Sequence, residues 1–238
     1  MKANASRRWA LALLLGLWLP VAAMAQEGAN DPLEPLNRSL FEFNRFFDTY
    51  VGQPLARAYR KITPEPVDRG ITNFFNNLDE IPTAFNNLLQ GKVSDAINDL
   101  GRMMVNTTFG ILGFRDVATG MGLEKHDEDF GQTLGRWGVP TGPYLVLPII
   151  GPSDFRDGAA FAVDWVSNPI YYRIGDNAIG WSLWTLRYVD RRADLLRSQG
   201  VLESAAIDPY LFTRESYLQR RRYLVYDGDP PLDEDLFE

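Results

Sequence analysis

The chain has 238 residues, 23% charged and 45% hydrophobic, the profile of a globular protein rather than a disordered or polytopic one. It has no Cys and a single His, which excludes disulfides, thiolate catalysis, His-based metal clusters and multi-His relays. A formal net charge of −7 argues against nucleic acid as a partner and against membrane binding by charge alone.

The first element is a targeting segment. Lys2, Arg7 and Arg8 precede an apolar run from Trp9 to Val21, and Ala23-Met24-Ala25 has the small-x-small pattern of a cleavage site. Residues 1–25 therefore read as an export signal cut between Ala25 and Gln26. Removing it takes three of the 24 basic residues and leaves 31 acids, a net charge of about −10. A linker over 26–30 leads into a helical domain over 31–226. The stretch 227–238 is acidic and Pro-containing and reads as a disordered tail.

DPLEPLNRSLFEFNRFFDTYVGQPL predicts the clearest helix. Leu36, Leu40, Phe43, Phe47, Tyr50 and Val51 share one arc at helical spacing, with Phe41 displaced toward the charged side. Gly52 and Pro54 read as its stop. Core packing is the default for such a stripe; a helix lying in a membrane interface has the same pattern. FNNL then occurs twice, at 75–78 and 85–88, with Pro82 between the copies, so two short helices are expected. Their paired Asn residues suit helix caps or a wet groove. Val93, Ala96, Ile97, Leu100 and Met104 mark a further helical face, followed by a segment broken at Gly110, Gly113, Gly120 and Gly122.

Trp137 to Ser153 holds no charged side chain, yet Pro140, Pro143, Pro148 and Pro152 bar it from being one continuous helix. Past it come a helix capped by Ser153 or Asp154 and ended before Pro169, a second over 176–200, and a last, basic one over 209–228. Period-two alternation is scarce, so the class is all-α, in a single domain with Pro/Gly-rich irregular segments.

Catalytic signatures are lacking. No G-x-S-x-G is present, and His126 sits in the charged run EKHDED, read as a solvated loop. Gly91-Lys92 lacks the first Gly and the Ser/Thr of a phosphate-binding loop. The carboxylate pairs Asp127/Asp129 and Asp154/Asp157 read as caps and surface charge rather than acid–base machinery. No enzyme and no cofactor is expected.

Four blocks in order, DPLEPLNRSLFEFNRFFD, NFFNNL, VNTTFGILGFRDVA and EDFGQTLGRWGVPTGPYLVLPIIGPSDFRD, resemble the MlaA/VacJ family over nearly all of the chain from Asp31 to Asp227. The resemblance implies a ring of amphipathic helices lying in the inner leaflet of the outer membrane, around a central amphipathic channel open to the periplasm. It implies association with an outer-membrane porin trimer, removal of misplaced outer-leaflet phospholipid and delivery to the periplasmic lipid carrier MlaC. The uncharged run then becomes a re-entrant or channel-wall segment, since irregular backbone at membrane depth needs protein or a wet cavity around it. Trp137 and Tyr144 carry rings suited to a membrane interface. The candidate lipid path is Phe41, Phe43, Asn44 and the loop from Gly131 through Trp137 and Gly138 to Tyr144. One departure stands out: family members carry a lipidated Cys after the signal, where this chain has Gln26. The alternatives are a soluble periplasmic binding or scaffold protein, in which the run is a buried loop, and a hydrolase of envelope lipids.

Overall fold

The computed structural model describes residues 31–168, 178–196 and 207–231. The export signal, its Ala25–Gln26 cut, the linker, the helix stop at Pro169 and the end of the tail lie outside the described residues.

Helix α1 spans Glu34–Phe47. Pro35 sits in its first turn, where a missing N–H costs nothing, and Glu34 bonds Arg38 one turn on at 2.7 Å. The expected stop at Gly52 and Pro54 does not occur. A π-turn over Asp48–Gly52 carries the chain directly into α2, Gln53–Ile62, and Pro54 occupies the first turn of that new helix. The extra residue of the π-turn re-aims the helix. Gly52 is needed there: a Cβ would stand 2.6 Å from Asp48 Oδ1 and 3.1 Å from the Tyr188 hydroxyl.

Helix α3 runs unbroken over Glu65–Leu89, with Pro82 inside it, so the two expected short helices are one. A proline there costs about 3 kcal/mol of helix stability. Partners on both sides of it offset that: Glu80 binds Arg102, Asn87 binds Asp99 and Asn86 accepts from Thr133. After a turn at Gly91, α4 covers Val93–Phe109 and packs along α3. A 3₁₀ turn at Thr119–Met121 follows, then α5 over Phe130–Arg136.

Part of the uncharged run is a β-hairpin. Strand β1, Tyr144–Leu147, pairs antiparallel with β2, Gly151–Asp154, Tyr144 opposite Asp154 and Leu147 opposite Gly151. Pro148 lies in the turn and Pro152 in the edge strand, places where a ladder donor is dispensable. Helix α6, Phe155–Ser167, starts at once, and Asp154 is its cap, accepting from the Asp157 N–H at 2.8 Å. Helices α7, Ala178–Leu195, and α8, Pro209–Val225, complete the chain.

The packing closes a circuit. α2 lies on α7, α7 on α3, α3 on α5, α5 on α8, α8 on β2, and β1 on α1, which leads back to α2. Two small apolar seams hold it. Ala56, Tyr59, Val189 and Ala193 join α2 to α7, and Tyr144, Val146 and Tyr210 join the hairpin to α8. Phe41, off the predicted arc, faces inward onto the second seam, edge-on to Tyr210 at 5.7 Å.

Candidate functional site

The ring is polar within and apolar without. Its fully buried large side chains include Arg102, Glu80, Asn37, Asn86, Asn87 and Asp99. Its exposed ones include Phe43, Phe46, Tyr50, Ile62, Phe85, Ile97, Met104, Phe109, Ile111 and Leu112. On α4, Ile97 and Met104 are 66% and 63% exposed, while Asp99, Arg102 and Asn106 of the same helix are buried. The apolar stripe of α4 faces outward at Val93, Ile97, Leu100 and Met104, with only Ala96 buried, and Leu36, Phe43, Tyr50 and Val51 of the first stripe, whose default was core packing, are exposed too. Among the described residues no helix is long and apolar enough to cross a membrane. Such a belt over amphipathic helices fits an element lying in a lipid leaflet, because water penalises contiguous exposed apolar surface.

Many of the buried polar groups are paired with each other. Arg102 donates to Glu80 at 2.9 Å, to Asp116 at 3.1 Å and to the Leu123 carbonyl at 2.5 Å. Asn77, Asn86 and Asn87 of the FNNL repeats are buried and bonded inside the protein rather than capping separate short helices. Asn77 donates to Thr107 and Asn87 to Asp99, tying α3 to α4. The lone His126 is also no solvated loop residue, since its Nδ1 lies 2.6 Å from the buried Asp99 carboxylate. In the same charged run, Glu128 pairs with Lys92, and Asp129 caps α5 by accepting from the Gln132 N–H.

A second network joins α5, α6 and α8. Arg221 forks onto Asp129 at 2.5 and 2.8 Å and also pairs with Asp157, which accepts from the Tyr217 hydroxyl. Against burial, Arg221 and Gln132 hold the Asp129 carboxyl below its ordinary range, and Asp129 and Asp157 raise Arg221. Gly131 sits against this network: a Cβ there would stand 2.4 Å from Asp157 Oδ1. Burial, reinforced by Asp157, pushes Asp154 up to about 7. Burial does the same to Asp164, also to about 7.

Two adjoining cavities lie inside the circuit. The first, about 640 Å³, is lined by six carboxylates and four guanidinium groups along with Phe161, Trp165 and Leu224. The second, about 390 Å³, is walled by Phe47, Ile149, Ile150, Trp184 and Tyr188. They share Phe161, Trp165, Arg187, Arg191 and Leu195, so a polar chamber gives onto an apolar one.

The hairpin forms one wall and is held by two amides of α1. Asn37 donates to the Tyr144 carbonyl and accepts from the Val146 N–H, both at 2.9 Å. Asn44 does the same at the turn, donating to Leu147 at 2.9 Å and accepting from Ile149 at 2.7 Å. Of the residues nominated from sequence, Asn44 lines the apolar chamber. Phe41 and Tyr144 pack in the seam behind the hairpin. Phe43 belongs to the outer belt. Gly131 lies under Asp157, and Trp137, 54% exposed, donates to the Leu89 carbonyl at 3.1 Å. Gly138 turns the chain with φ near +87° and has open space around its Cβ position. Sequence reading missed Asn37 and the arginines at 187, 191, 220 and 221; the runs DRRAD and QRRRY on otherwise amphipathic helices were the available signal.

Comparison with known proteins agrees with this architecture. The family model described as MlaA lipoprotein matches residues 29–224. Proteins named "Intermembrane phospholipid transport system lipoprotein MlaA" from Shigella flexneri and Escherichia coli K12 are each 36% identical over 227 residues, covering 92% of this chain and 89% of theirs. The Haemophilus influenzae protein of that name is 34% identical over 84% of this chain and 80% of its own. A solved structure reported as "Structural basis for maintenance of bacterial outer membrane lipid asymmetry" superposes with a TM-score of 0.73 at 34% identity, covering 82% of this chain and 99% of its own. The chain belongs to the MlaA lipoprotein family.

Proposed function

We propose that this protein is a phospholipid-transport component of the outer membrane. It removes misplaced outer-leaflet phospholipid through the cavities inside its ring and passes it toward the periplasm, which maintains lipid asymmetry. The observation that carries the reading is the inverted polarity: an apolar belt outside, and a polar chamber opening onto an apolar one inside.

The physics follows from the solvent. A phospholipid changing leaflet must bring a charged headgroup past ~30 Å of hydrocarbon. Arginines and carboxylates along the chamber replace the headgroup's water, while Ile149, Ile150 and Trp184 receive the chains. The sequence holds no phosphate-binding loop, so we read the movement as passive, driven by the lipid's own energy difference and by removal into a carrier. We read the role as transport rather than catalysis, which the family's transport character supports. We assign the receiving partner to the periplasmic carrier MlaC and the lateral support to a porin trimer, with the belt as the surface that meets lipid and porin. None of the 238 residues is Cys, so we assign membrane attachment of this chain to the belt. We retain Asn44 on the lipid path, because its amide holds the turn that lines the apolar chamber.

The test is genetic. Cells lacking this protein are expected to accumulate phospholipid on their surface, and the full chain is expected to clear it. Surface phospholipid that does not respond to the protein would refute the reading.

A further inference from the structure

The charges lining the joined cavities are sorted in space once internal pairs are set aside. Asp79 is held by Arg187 and Asn168, Glu128 by Lys92 and Gln90, and Asp129 by Arg221. Asp164 accepts from the Phe130 N–H at 2.9 Å, and burial raises it to about 7, so it carries only part of its charge at neutral pH. Four groups remain. Arg191 comes no closer than 3.7 Å to Asp79, and its side chain is two-thirds exposed. Arg220, Asp127 and Asp194 have no side-chain hydrogen bond or ion pair with a described residue, and all three line the polar chamber.

Their order matters. Arg191 lines both chambers and therefore stands at the junction of the polar and apolar ends. Asp127, Asp194 and Arg220 line only the polar one. Reading from the apolar wall inward, the cavity presents hydrocarbon surface beside the paired Asp48 and Arg192, then the Arg191 guanidinium, then a chamber that holds Arg220 with the carboxylates of Asp127 and Asp194. A phospholipid with an ammonium headgroup presents acyl chains, a phosphate, then a cation.

We propose that the joined cavities select a zwitterionic phospholipid, with Arg191 and Arg220 binding the phosphate and Asp127 and Asp194 accepting the headgroup ammonium. This inference rests on the lipid-transport reading above. A guanidinium suits a phosphate because its fork matches two oxygens. A lipid with an uncharged glycerol headgroup leaves both carboxylates unmatched, and one with a second negative charge is repelled by them.

The test uses the full chain in neutral detergent, with bound lipid counted by native mass spectrometry. Phosphoethanolamine and phosphoglycerol lipids of identical chains compete at equal concentration. The expected result is a preference of about tenfold for the phosphoethanolamine lipid. The double variant Asp127→Asn with Asp194→Asn is expected to abolish that preference while the phosphoglycerol lipid still binds. Arg191→Gln is expected to weaken both lipids, and Arg191→Lys to restore part of the loss. All three positions are exposed, and an unchanged melting temperature checks that the fold is kept. Equal binding of the two lipids by the native chain, or an unaltered preference in the double variant, overturns the headgroup assignment alone. Binding of neither lipid overturns the transport reading with it.

Discussion

Asn37 and Asn44 stand seven residues apart on α1, and each gives one donor and one acceptor to the backbone of the same hairpin, at Tyr144 and Val146 and at Leu147 and Ile149. Seven residues are about two helical turns, so both amides leave the same face of the helix. The helix thus supplies side-chain partners to a two-stranded sheet that has no third strand.

Asn44→Leu removes both bonds at the turn and leaves the Ile149 N–H without its partner. The Ile149 N–H is exposed and water can take the amide's place, so the expected cost is about 0.5–1.5 kcal/mol. The ring should remain folded, because its seams are elsewhere, while the wall of the apolar chamber loosens. Clearance of surface phospholipid should fall, with little change in the far-ultraviolet circular dichroism.

Arg102 and Glu80 form an ion pair at 2.9 Å with both side chains 2% exposed. Arg102→Met would leave Glu80 and Asp116 without their cation. A loss of about 3–5 kcal/mol is expected, read as a lower denaturation midpoint in detergent. Adding Glu80→Gln should recover part of it, since the uncompensated charge is then removed.

Gly131→Ala and Gly138→Ala should differ. At 131 the new methyl would collide with the Asp157 carboxylate that Arg221 and Tyr217 hold, at a cost of about 1–3 kcal/mol. At 138 space is open and only the positive φ is strained, about 1 kcal/mol. Thermal melts of the two variants side by side check the order.

Asp164 accepts from the Phe130 N–H, and burial raises it from 3.8 to about 7. The folded state therefore holds this proton more tightly than the unfolded one. Its contribution to stability is full below pH ~4 and is lost as pH rises through about 7. Asp164→Asn keeps the acceptor and lacks the titration. Its stability curve should be flatter between pH 4 and 7, and the variant should exceed the native chain above that window; Asp154, Glu80 and Asp190, also raised by burial, contribute to the slope that persists.

The helices were legible in the sequence, and their orientation was not. A period of 3.6 marks a stripe as apolar without saying whether protein or lipid covers it, so the stripe of Phe43 and Tyr50 had core packing as its default and stands outside. Pro82 read as a break because local propensity was weighed without the ion pair and amide bonds that bind α3 across it. The hairpin was hidden because YLVL is four residues long, flanked by prolines, and completed by side chains of α1 more than a hundred residues upstream. The cavity was hidden for a related reason: Arg191, Asp127 and Ile150 meet only when the circuit of helices closes. The blocks that carry the family resemblance, by contrast, are contiguous in the chain.

The central claim is that the apolar belt faces lipid. The most direct measurement is flotation of the purified chain with phospholipid vesicles in high salt, alongside a variant carrying Phe46→Gln, Ile97→Gln and Met104→Gln. The native chain should float with the vesicles and need detergent for release, and the variant should stay behind in the dense fraction while keeping its helical spectrum. A native chain that remains in the aqueous fraction without detergent would contradict the account.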